Sequence, residues 1–221
     1  MDKEKIFILI YLSILVIELI STTFLISEFF HFIAKPSLLI SLIIYYLSCK
    51  QENKTIKKFI LLALIFSLIG DILLMLVPIK DSLFIFGLIA FLVAHGMYVI
   101  AFSKERNKNL NPFFFLSMLL GCGTFIFIFL SSHLGNLLVP VSLYTMIILT
   151  MVLFAYWRKN NVIKKSYILV FIGALFFVIS DSILAVNKFH TPIPFSNIWI
   201  MTTYAMAQLL IVIGIVKRRL Q

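Results

Sequence analysis

Hydrophobic positions in this chain come in long runs, without the three-to-four-residue rhythm of a helix that covers a water-soluble core. Eight stretches, roughly residues 6–26, 33–49, 59–78, 82–102, 112–131, 136–156, 166–187 and 195–216, are almost wholly apolar, and Lys, Asn and Pro punctuate the gaps between them. A helix needs about 20 apolar residues to cross the hydrocarbon of a bilayer, so each run predicts one membrane span. The connections are short, which predicts one transmembrane domain over residues 1–221, an all-α bundle of eight helices. The run after MDKEK is followed by no small-x-small cleavage site and is expected to stay as the first span.

Two of the runs read as copies of each other. FSLIGDILLML at residues 66–76 and FFVISDSILAV at 176–186 align Phe66 with Phe176, Ile69 with Ile179 and Asp71 with Asp181, a shift of 110 in a chain of 221. The same shift carries spans one to four onto spans five to eight. Halves with an even number of spans point the same way across the bilayer, so the pattern predicts a parallel repeat with halves 1–110 and 111–221.

Composition fixes the class: 62% of residues are hydrophobic and 13% charged, the balance of a multi-span membrane protein. A net charge of +10 raises nucleic acid as a partner, but the basic residues form no patch or tail. They lie between the apolar runs and alternate by side. The amino terminus, the second, fourth and sixth connections and the carboxyl terminus hold sixteen of the nineteen Lys and Arg, leaving Lys35, Lys80 and Lys188 opposite. The positive-inside rule then predicts that both termini are cytoplasmic, in a bacterial cell (inner) membrane. Cys49 and Cys122 form neither a disulfide framework nor a metal set.

Charge inside a span is costly and needs a reason, which makes Asp71 and Asp181 the leading candidates for chemistry. Asp71 lies 13 residues past Lys58 and Asp181 lies 16 past Lys165, about 20 and 24 Å from the cytoplasmic edge. His95 and Gln208 each precede a basic residue by nine positions and lie about 14 Å in. Two carboxylates above two neutral polar groups outline a pocket open toward the outer leaflet. His95 shares a helix face with Tyr98, as Tyr204 does with Gln208, and such pairs also serve simply to hold helices together. Lys35, ahead of Pro36 in the first turn of its span, suits either an interfacial anchor or a phosphate contact. Asn187 and Lys188 admit the same two uses, and Lys188 sits on the face of Asp181, so a structural ion pair between them is the plain alternative. Glu18 either completes the polar network or pairs with Thr22 one turn on, and the pairing is the expectation. His31, His133 and His190 lack the spacing of a metal site, and no metal or organic cofactor is expected.

The order of KP in span two, FSLIGDILLM in span three, GLIAFLVAHGMYVIAF in span four, GALFFVISDSILAVNKF in span seven and TYAMAQLLIVIG in span eight resembles the YhhN family of membrane proteins, which includes the lysoplasmalogenases. The resemblance implies hydrolysis of the vinyl ether bond of lysoplasmalogens, giving a fatty aldehyde and glycerophosphoethanolamine or glycerophosphocholine. It sets Asp71 and Asp181 on the family's paired aspartates, and Lys35, His95, Tyr98, Asn187, Lys188, Tyr204 and Gln208 on its other polar positions. The residues suit that chemistry. Protonation of a vinyl ether carbon gives an oxocarbenium ion, which a carboxylic acid can create and a neighbouring carboxylate can stabilise, as in glycosidases. The expected partners are then a lysophospholipid substrate and membrane lipids. A proton-coupled transporter and a lipid-binding protein without turnover use the same features.

Overall fold

The computed structural model describes residues 3–24, 28–50 and 53–218. Residues 25 and 26 of the first predicted span and Arg219 of the last basic cluster lie outside these ranges. The described residues form eight α-helices: α1 (Lys3–Phe24), α2 (Glu28–Ser48), α3 (Lys54–Met75), α4 (Leu83–Ser103), α5 (Phe113–Leu134), α6 (Leu138–Trp157), α7 (Lys164–Phe189) and α8 (Ser196–Val216). There is no strand among them. A helix does not have to stop where hydrocarbon stops, and several helices run beyond their apolar cores. Helix α3 starts five residues before its predicted span, at a cap where the Asn53 side chain accepts from the Ile56 N–H at 3.1 Å.

Seven helical stretches are long and apolar enough to cross a membrane, because residues 113–157 count as one stretch of 45. That stretch does not run straight. A 3-10 turn over residues 135–137 separates α5 from α6, and Gly135 takes φ +48°, a conformation side chains rarely adopt. The helices then return along each other: a Cβ on Gly123 would sit 2.4 Å from Leu149 Cδ1, so the glycine lets the two backbones close. Helix α2 also departs from expectation. It extends back to Glu28, which puts Pro36 in the helix interior and not in the first turn, where the Phe32 carbonyl loses its normal donor.

The most extensive packing joins α3 to α4 and α7 to α8. Small residues set these contacts. Gly87 faces the Gly70 carbonyl, and a Cβ on Gly173 would come within 2.9 Å of the Ala207 carbonyl. Helix α2 meets α3 as α6 meets α7, and α2 meets α8 as α6 meets α4. Tyr98 and Gln208, 110 positions apart, are joined by a hydrogen bond of 2.6 Å at the centre of this arrangement. Helix α8 is the most enclosed, with Ala205, Ala207, Ile211, Val212 and Ile215 fully buried, whereas Ile44, Phe125, Ile128 and Met146 are exposed on the outside, as a lipid-facing surface requires.

At the end of the bundle carrying Lys104 and Lys217, a buried ion cluster ties four helix ends together. Arg158 is fully enclosed and donates to Glu105 at 2.8 Å and to Ser166 at 3.0 Å, and Arg218 reaches Glu105 at 2.9 Å. Taking Arg158 out of water is offset only because its donors find partners.

Candidate active site

All eight helices contribute to the wall of one cavity of about 500 Å³. Its surface is chiefly apolar, with Phe91, Leu119, Ile126, Ile148, Leu149 and Leu175 among the lining residues. Both aspartates open onto it. Asp71 from α3 is buried, and Asp181 from α7 is half-buried. Helices 110 residues apart thus bring two carboxylates to one cavity.

Their surroundings differ. Asp71 is the end point of a directed chain: the Tyr98 hydroxyl donates to Gln208 Oε1 at 2.6 Å, Gln208 Nε2 donates to the Tyr204 oxygen at 3.4 Å, and the Tyr204 hydroxyl donates to Asp71 Oδ2 at 2.8 Å. Its other oxygen lies 3.8 Å from the Lys35 ammonium. Asp181 has one hydroxyl partner, Tyr144, which donates to Oδ2 at 2.5 Å. The expected alternative, an Asp181–Lys188 ion pair, does not form. Lys188 lies over the Phe84 ring at 5.3 Å, on the wall of the same cavity.

The remaining predicted residues are divided between the cavity and its support. Lys35, Lys188 and Tyr204 line it. Tyr98 and Gln208 stand behind it and act through Tyr204. His95 is buried, edge-on to Tyr144 at 5.4 Å and to Phe177 at 5.0 Å. Neither of its ring nitrogens has a partner at hydrogen-bond geometry, although the Phe91 carbonyl one turn back is near enough to interact with the ring. Asn187 lies off the cavity, where its side-chain oxygen accepts from the Ile193 N–H at 2.8 Å and secures the turn into α8. Glu18 is a correction: the Thr22 hydroxyl bonds the Glu18 backbone carbonyl, while the fully buried carboxylate lies 2.8 Å from His31 Nδ1. Sequence reasoning also passed over Tyr144. Its signal was faint but present, since Tyr144 and Thr145 fall on Ala34 and Lys35 under the 110-residue shift. Among the described residues no group of three or more His, Cys, Asp or Glu side chains could hold a metal ion.

Residues 30–215 match the model of the YhhN family. The chain belongs to the YhhN family. Curated relatives include human Lysoplasmalogenase TMEM86B, 33% identical over 155 residues (70% of this chain, 62% of that protein), and human Lysoplasmalogenase TMEM86A, 32% identical over 170 residues (72% and 66%). The rat Lysoplasmalogenase TMEM86B is 34% identical over 156 residues, 70% of this chain and 60% of its own length. The aligned part thus spans about three fifths to two thirds of these relatives, and no solved structure matches the chain. For this YhhN protein, the aspartates, Lys35, His95, Tyr98, Tyr204 and Gln208 all fall within the matched range, and Glu18 falls before it.

Proposed function

We propose that this protein hydrolyses the vinyl ether bond of lysoplasmalogens, releasing a fatty aldehyde and glycerophosphoethanolamine or glycerophosphocholine, with Asp71 and Asp181 as its acid–base pair. The observation that carries the reading is the unequal setting of two carboxylates on one apolar cavity. Lys35 and the donors converging on Asp71 stabilise a negative charge there. Asp181 makes no ion pair among the described residues, and we assign it the proton that starts the reaction. The relatives named as lysoplasmalogenases support the substrate class.

In this mechanism the Asp181 carboxyl gives its proton to the vinyl carbon beta to the ether oxygen, leaving an oxocarbenium ion. The Asp71 carboxylate stabilises that cation and accepts a proton from the water that attacks it. The hemiacetal collapses to the aldehyde and the glycerol alcohol, so one water is consumed and its oxygen ends in the aldehyde. Proton return from Asp71 to Asp181 through solvent closes the cycle. The alkenyl chain lies along the apolar faces of α5 and α6, and Lys35 and Lys188 are available to the phosphate. Tyr98, Gln208 and His95 hold Tyr204 and Tyr144 in place, and Asn187 holds the turn beside Lys188. The bundle crosses the bilayer eight times, and both termini face the cytoplasm.

Purified protein in detergent, given alkenyl and acyl lysophospholipids, tests this directly. Aldehyde is expected from the alkenyl lipid only, and Asp71→Asn and Asp181→Asn are each expected to abolish it while the protein stays folded. A wild-type protein that releases no aldehyde from any alkenyl lipid would rule out this activity, and solute uptake into proteoliposomes would then favour a transporter.

A further inference from the structure

Helix α2 turns two basic side chains toward the cavity one turn apart, His31 and Lys35. Each is held from behind by a carboxylate on a neighbouring helix. Glu18 of α1 lies 2.8 Å from His31 Nδ1, and Asp71 of α3 lies 3.8 Å from Lys35 Nζ. The mechanism above has no use for Glu18, yet it is fully buried and neither of its oxygens has a partner at hydrogen-bond geometry. A carboxylate removed from water this completely is sustained by charge nearby, and His31 is the basic group that touches it. The 2.8 Å approach sets the Glu18 carboxylate against the Nδ1 side of the ring. His31 thus sets a ring nitrogen donor beside the Lys35 ammonium on the wall of the cavity.

We infer that His31 and Lys35 form the phosphate subsite of this cavity, taking the phosphodiester of a lysophospholipid head group, and that Glu18 is the positioning residue for His31. Two donors one helical turn apart match an anion with several oxygens, whereas the single lysine at Lys188 offers a point charge. Lys35 also touches Asp71, so a phosphate held here sets the glycerol and its vinyl ether next to the acid pair. The ligand class rests on the proposed hydrolase reading; the juxtaposition of His31 and Lys35 does not.

The test is binding without turnover. The full chain in detergent is titrated with an acyl lysophosphatidylethanolamine, with a monoacylglycerol of the same chain, and with inorganic phosphate, and thermal unfolding is followed. The lysophospholipid is expected to bind about tenfold more tightly than the monoacylglycerol. His31→Gln and Glu18→Gln should each remove most of that preference and leave the monoacylglycerol affinity in place, and His31→Arg should restore it. An unchanged preference in His31→Gln overturns the subsite. If Glu18→Gln fails to fold, the His31→Gln and His31→Arg comparison decides. A full shift with inorganic phosphate alone would assign the site to a free anion and overturn the head-group ligand. The two readings fail separately: a phosphate preference without aldehyde release retires the hydrolase, and aldehyde release without that preference retires the subsite.

Discussion

Asp71 and Asp181 are the same residue type in similar apolar settings, and their partners and burial distinguish them. One accepts from Tyr204 and faces a lysine, while the other accepts from Tyr144. Tyr144→Phe removes the hydroxyl that orients Asp181 while keeping the ring against His95. We expect kcat for aldehyde release to fall about 10- to 100-fold with KM changed little, read from initial rates on protein that elutes as the wild type does. At this scale the aspartates were legible because a carboxylate in an apolar run is conspicuous. Tyr144 was not, because a tyrosine in such a run is common and its role depends on which helix it meets. Glu18 was conspicuous too, but its partner sits on another helix and no spacing within α1 points to it.

At the scale of the element, apolar runs and basic punctuation located the helices, and the details that differ are stereochemical. Helix α2 continues through Pro36 because the neighbouring helices α1, α3 and α8 supply packing that offsets one lost hydrogen bond. The helix contacts are decided by small residues whose meaning depends on what lies opposite. A Cβ on Gly173 would meet the Ala207 carbonyl and the Ile211 nitrogen, whereas one on Gly96 meets nothing within 4 Å. Gly173→Val is therefore expected to cost about 1–3 kcal/mol by forcing α7 from α8. Gly96→Ala should change stability by less than about 1 kcal/mol, in the stabilising direction. Reversible unfolding of both variants in the same detergent checks the contrast, and equal losses would contradict the close approach of α7 and α8.

For the whole molecule, the contacts of α2 with α3 and α8 parallel those of α6 with α7 and α4, and Tyr98 meets Gln208, 110 positions on. The two aspartate sites differ where the chemistry is proposed: the position 110 residues after Lys35 is Thr145, and Asp181 makes no ion pair among the described residues. The orientation is a prediction at this scale. Reporter domains fused to the two termini should both be cytoplasmic, and a reporter placed after Lys80 should be on the opposite side. Termini on different sides would mean an odd number of crossings and would remove the parallel repeat.

By itself the sequence determined that this is a helical membrane protein, because hydropathy is a sum over local residues and a bilayer reads that sum directly. It also singled out the two aspartates, since burying charge in hydrocarbon is expensive wherever the helix goes. Tertiary structure alone decided that both carboxylates share one cavity, that Lys35 sides with Asp71 and Tyr144 with Asp181, and that Glu18 turns to His31. These depend on distances of a few ångströms between helices far apart in the chain, and no local pattern of residues encodes them.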